Sequence, residues 1–281
     1  ISGANQVTAF PWGAHYLPLP GADLHEVRAL LEQLGVISGY DAASRPIYDA
    51  TMLCADPAER LLIHGHWQEG LLPQTGISRS DRAQYDRFLA HIETCKKLRG
   101  RDARRAFCIP VDESSRDPEI TALDRTSFAQ WLARENYTSQ PLRWLLEYGC
   151  RDDYGCGLTQ TSAWAGLHYF AARNGVAANA GHDTVLTWPE GNDWLATRIR
   201  QPYLDKLLTG CMATRVQAGP SPNADLFLAR ENRSLRIHAR AILLAVPRFI
   251  AARIVHGSQQ RIDASAFQYS PWIVANITLD K

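Results

Sequence analysis

The sequence has no excess of charge of either sign: 30 Lys and Arg stand against 29 Asp and Glu, for a formal net charge of +1. A duplex-binding surface needs clustered cations to displace counterions, so nucleic acid is excluded as an expected partner. The densest basic run, Lys96-Lys97-Leu98-Arg99-Gly100-Arg101, reads as a solvated helix end. Long apolar runs are also missing. The longest, Ala241 to Val246, falls far short of the roughly 20 residues that cross a bilayer, and no signal-peptide pattern opens the chain. A soluble cytoplasmic or periplasmic protein is therefore expected. The compartment cannot be read from a chain that begins at Ile1.

The six cysteines, Cys54, Cys95, Cys108, Cys150, Cys156 and Cys211, include no CxxC pair and no metal-ligand spacing, and they read as small buried hydrophobes. His64-Gly65-His66 would place two imidazoles on one side of a strand, but no third or fourth ligand accompanies them, so no metal is expected. There is no GxSxG elbow for a serine nucleophile. Neither GxGxxG nor GxxxxGKS occurs, so no loop of this chain cradles a pyrophosphate in the usual way. Asp152, Asp153, Glu190 and Asp193 are carboxylates in interesting company. Acid–base pairs are defined by distance, however, and Asp152-Asp153-Tyr154-Gly155 reads as a C-terminal turn.

What is present is the composition of an ordinary globular chain of 281 residues, 46% hydrophobic. Short extended pieces run from Val7 to Pro20. A helix over Leu24–Leu34 follows, with Asp23 before it and Gly35 after it. Residues 36–76 read as strands and turns. The clearest helix begins at Ser80 or Asp81, carries Tyr85, Phe88, Leu89, Ile92 and Cys95 on one face, and ends at Gly100. Three helical segments follow, over Ser127–Glu135, from Ser139, and over Ser162–Arg173. Beyond Gly181 the pattern predicts a strand at Thr184–Trp188, a helix from Asn192, and a meander through Gly210–Val216, Ala224–Leu228 and Ser234–His238. The meander closes with Ala241–Val246 as a strand covered on both faces, then come a helix from Ile250 and a last strand over Trp272–Leu279. The fold class is α+β, a mixed or antiparallel sheet with an inserted helical segment.

Several phrases, in order, resemble the flavin-containing amine oxidase superfamily of monoamine oxidases, protoporphyrinogen oxidase and phytoene desaturases. They are Trp12-Gly13-Ala14-His15-Tyr16 with the helix after it, Leu123–Leu132, Thr187–Leu195, Cys211–Val216, and Ala239–Pro247. Within that superfamily Pro11–Pro20, Arg151–Gly155 and Thr187–Asn192 resemble a bacterial branch of flavin-dependent oxidoreductases. The resemblance implies FAD as cofactor, hydride removal from an amine or related small-molecule substrate, and a chain that is an internal piece of a longer enzyme. In that enzyme the GxGxxG segment would precede Ile1 and a further flavin-contacting segment would follow Lys281. By itself the piece is expected neither to retain FAD nor to be active.

Carried over by position, the resemblance implies that Gly13, Ala14, His15 and Tyr16 lie beside the flavin ring. It sets Met212 at the adenine end, and Ala245 and Pro247 along the cofactor cleft. His15 is the candidate catalytic group, because an imidazole beside a flavin can move a proton near neutral pH. Trp164, His168 and Tyr169 are candidates to line the substrate. At Pro189-Glu190-Gly191 the chain departs from the superfamily's Gly-Gly. The implied domains are FAD-domain elements at 1–35 and 183–255 and a substrate-binding domain at 36–182 and 256–281. A homo-oligomer is left open, as is a hydrolase using Asp152 or Glu190. The alternative to the enzyme reading is a non-catalytic ligand- or partner-binding domain that binds no FAD.

Overall fold

Apolar residues at helical spacing between Arg79 and Ala171 condense into the larger of two cores in the computed structural model, which describes residues 2–54, 59–181, 184–258 and 262–279. The chain divides into two compact units, residues 1–198 with 271–281, and residues 199–270. The domain boundary expected between residues 182 and 183 lies outside the described residues.

The first unit opens with an antiparallel hairpin, β1 (Ser2–Ala4) and β2 (Ala9–Pro11), then β3 (Tyr16–Pro18) and α1 (His25–Gln33). Two further hairpins pair β4 (Ile37–Tyr40) with β5 (Pro46–Tyr48) and β6 (Arg60–Ile63) with β7 (His66–Glu69). The helical segment contains α2 (Arg79–Lys97), a short α3 (Pro118–Thr121), α4 (Phe128–Arg134), α5 (Gln140–Tyr154) and α6 (Ala163–Ala171). After it β8 (Val185–Thr187) pairs antiparallel with β3, and α7 (Asp193–Arg200) follows.

Helix starts follow local chemistry. Ser78 and Asp81 form a reciprocal capping box on α2, so the cap sits slightly upstream of the expected Ser80 or Asp81. Ser127 and Gln130 do the same for α4. Phe128, Leu132, Leu142 and Leu146 are completely buried where α2, α4, α5 and α6 meet, each contributing about 1.5–3 kcal/mol by burial. A second core joins Leu31 of α1, Val36, Tyr48, Leu186, Trp188 and Trp194, the last two stacked at 4.9 Å.

The second unit is built on a four-stranded sheet in the order β11-β10-β9-β12, from β9 (Cys211–Gln217), β10 (Asn223–Leu228), β11 (Arg233–His238) and β12 (Val255–His256), with α8 (Arg248–Ile254) leading into β12. The meander matches the sequence pattern except at its end. Ala241–Val246 is not a strand: it is irregular, and Leu243 is 95% exposed. Burying an apolar strand on both sides needs a sheet covered on both faces, and β11, beside which it would lie, is itself largely exposed. Trp272–Leu279 is likewise not a strand. It has no ladder, and its anchors are side-chain bonds such as Asn276 Nδ2 to the Pro11 carbonyl at 2.9 Å. His64 also leaves its expected strand, since it sits in the β6–β7 turn with φ +50°. Among the described residues no group of His, Cys, Asp and Glu is arranged to hold a metal. Nor, among them, is any helix long and apolar enough to cross a membrane.

Candidate functional site

The phrase Trp12–Tyr16 is held from behind. Carbonyl oxygens of Ala14, His15 and Tyr16 accept from Asn192 N (3.0 Å), Thr187 Oγ1 (3.0 Å) and Asn192 Nδ2 (3.1 Å) respectively. Gly191 makes this possible: its φ is +61°, and a Cβ there would lie 2.8 Å from the Ala14 carbonyl oxygen. The Pro189-Glu190-Gly191 turn that departs from the superfamily pattern therefore grips the Gly13 segment. Space opens on the other side of the segment. A Cβ built on Gly13 meets nothing within 4 Å, and Trp12 is 52% exposed. His15 and Tyr16 rings meet edge to face at 5.1 Å.

Tyr16 then joins a cluster from the helical segment. Arg173, just beyond α6, meets the Tyr16 hydroxyl, lies 4.2 Å over the Tyr169 ring, and pairs with Asp153 at 3.1 Å. Tyr169 approaches α5 at Gly149, where an added Cβ would stand 3.0 Å from the ring. Next to them on α5, Trp144 and Tyr148 are exposed and stacked at 6.0 Å. Asp152 continues the same face one turn on.

Burial governs the electrostatics. It raises the Asp153 carboxyl above its ordinary value even though Arg173 pulls the other way. It raises the Tyr169 phenol as well, so Tyr169 meets Arg173 uncharged at physiological pH. Burial works to lower Arg173, and the tyrosines and Asp153 outweigh it. His168 is lowered by burial against the opposing pull of its Nε2 contact with the Cys108 carbonyl at 2.7 Å, which leaves the imidazole neutral.

Of the residues expected along the substrate, Tyr169 reaches this cluster and His168 flanks it. Trp164 instead stacks on His168 at 4.9 Å and packs against Phe107 and the core. Met212, Ala245 and Pro247 belong to the second unit, where all are exposed. Asp152 and Asp153 lie inside α5, which runs to Tyr154, so the turn begins only at Gly155. Sequence reasoning missed Tyr148 and Arg173. The spacing Trp144, Tyr148, Asp152, opposite the buried stripe Leu142, Leu146, Cys150, could have found the first. The helix boundary hid the second, since the predicted helix ran through Arg173 while α6 stops at Ala171.

No family model matches the chain, and no curated protein does. Solved structures do match. Putrescine oxidase bound to putrescine aligns with 90% of this chain and 51% of its own, at a TM-score of 0.56 and 15% identity. A double mutant from a redesign of cofactor binding in putrescine oxidase aligns over 93% and 53%, at 0.58 and 13%. The fold is amine-oxidase-like. At such identities the likeness shows the fold alone, and this chain spans about half the length of these structures.

Proposed function

We propose that the chain supplies the substrate-side wall of an FAD-dependent oxidoreductase of the amine-oxidase type, acting on an amine or related small molecule. The observation that supports it is the meeting of Tyr16 with Tyr169, Arg173 and Asp153, which brings the segment read as flavin-facing and the helices read as substrate-facing into one cluster.

The residues fit one end of FAD and not the other. Gly13 offers an open, side-chain-free surface on which a flat ring system can lie. No phosphate cradle accompanies it: the chain has no GxGxxG, and Met212, Ala245 and Pro247 form no enclosed pocket wall, being exposed. The flavin would supply the hydride chemistry. What the chain's own groups do is bind and orient. The exposed Trp144–Tyr148 face presents aromatic surface, Asp152 a carboxylate, and Arg173, paired with Asp153, meets the Tyr16 hydroxyl and covers the Tyr169 ring. His15, beside Tyr16, is the imidazole available for proton transfer.

The exposure of Met212, Ala245 and Pro247 favours a second reading, a domain that binds a ligand or partner without FAD. Lumiflavin, which has the ring and no phosphates, separates the two. The proposal expects lumiflavin and FAD to bind weakly and with similar affinity, too weakly for FAD to be retained through purification, and each to be weakened further by Tyr16→Ala, because the pyrophosphate adds nothing. Binding of neither, followed by absorbance near about 450 nm as for any oxidised flavin, would support the flavin-free domain.

A further inference from the structure

Helix α5 ends in a left-handed cap: Gly155 has φ 64° and ψ 18°, and its N–H donates to the Arg151 carbonyl. Such a cap folds the residue after the glycine back onto the last helical turns. In this chain the residue after the glycine is Cys156, and the last turns carry Cys150. Thr161 bears on both thiols: its Oγ1 lies 3.2 Å from Cys156 Sγ, and its side chain pulls the Cys150 thiol down against the stronger push of burial. The two are free thiols, Cys150 buried and Cys156 half-buried.

We infer that Cys150 and Cys156 form an oxidisable dithiol that a hydroperoxide closes into a disulfide. Access sets the order of events. Cys150 is 1% exposed and cannot meet a solvent oxidant, so Cys156 reacts first. Its sulfur attacks one peroxide oxygen, the O–O bond breaks, and water leaves with Cys156 as a sulfenic acid. The Cys150 sulfur then displaces the sulfenic oxygen as a second water, and the S–S bond forms. Two thiols and one hydrogen peroxide give one disulfide and two waters. Burial pushes the Cys150 thiol up to about 11, so little of it is thiolate at neutral pH; its place one turn above the Gly155 cap, beside Cys156, supplies the effective concentration the second step needs.

The bond would tie the last turn of α5, with Asp153, to the segment leading into α6, which carries Tyr169 and precedes Arg173. This chemistry does not depend on the proposed oxidoreductase activity. Of the other cysteines, Cys95 and Cys108 are buried and Cys211 contacts the Leu208 carbonyl.

The test uses the reduced full chain and hydrogen peroxide. Two of the six thiols are lost, the intact mass falls by two hydrogens, and peptide mapping joins Cys150 to Cys156. Dithiothreitol reverses it. Cys150→Ala halts at a Cys156 sulfenic acid trapped by dimedone, and Cys156→Ser leaves Cys150 reduced. The inference is overturned if wild-type Cys156 proceeds to sulfinic acid while Cys150 stays free, if Cys156 does not react, or if the bond joins other cysteines. Mapping on the wild type decides this even if a variant fails to fold.

Discussion

Replacing Arg173 with methionine keeps most of the side chain's length and removes its charge, which leaves the Asp153 carboxylate without its partner. Breaking a fully buried ion pair from one side costs about 3–5 kcal/mol. Here the Arg173 and Asp153 side chains are 29% and 34% exposed, so solvent screening reduces that cost to about 1–2 kcal/mol. Loss of the guanidinium from the Tyr169 face adds about 0.5–1 kcal/mol. Arg173→Met is thus expected to lower stability by about 2 kcal/mol in urea denaturation at neutral pH, with the slope unchanged. A double-mutant cycle with Asp153→Asn should return a coupling of about 1 kcal/mol or more.

The pH dependence sharpens this test. The folded value of Asp153 lies above its ordinary 3.8, so its ionised form costs the folded state stability at neutral pH; that cost fades as pH falls through the raised value and is gone below 3.8. Removing Arg173 raises the folded value further, so the deficit of the variant narrows between neutral pH and about pH 4. A deficit below about 0.5 kcal/mol, a coupling near zero, or a deficit that widens on acidification would each refute the reasoning.

Burial holds His91 and His168 below their ordinary 6.5, so their stabilising contribution is complete above that value and is lost as pH falls toward the folded one. Thermal melts from neutral pH to about pH 5 should therefore show a shallower loss for His168→Gln than for the parent. Gly166→Ala would push a Cβ to 2.2 Å from the fully buried Phe128 ring, and chemical denaturation should register about 1–3 kcal/mol of destabilisation. Gly13→Ala meets no atom within 4 Å, so stability should change by less than about 0.5 kcal/mol while lumiflavin binding weakens. Equal binding by the two proteins would remove Gly13 from the ring surface.

The helices were legible because their signals are local. The stripe Tyr85, Phe88, Ile92, Cys95 fits within a few turns and is buried as the pattern predicts, although Leu89, expected on the same face, points outward and is 51% exposed. The two misread strands carry equally good patterns. Strand pattern states only that a segment fits a half-buried pleat, and a pleat exists only when a neighbour supplies its hydrogen bonds. Ala241–Val246 and Trp272–Leu279 have the composition without a ladder among the described residues, and Leu243, Trp272, Ile273, Ile277 and Leu279 stay exposed.

The candidate site failed to show for a related reason. Asp153 and Arg173 are 20 positions apart, and no periodicity links them. They meet because Gly155 reverses the chain after α5 and because α6 stops at Ala171, which frees Arg173 to turn back across Tyr169. The same reversal brings Cys156 onto the Cys150 turn. One left-handed residue thus underlies both the charged cluster and the thiol pair. Gly155→Ala is strained by its positive φ whatever space surrounds it, so it should loosen the two together. If the peroxide-driven disulfide yield falls while the coupling between Arg173 and Asp153 stays whole, the two features do not share this origin.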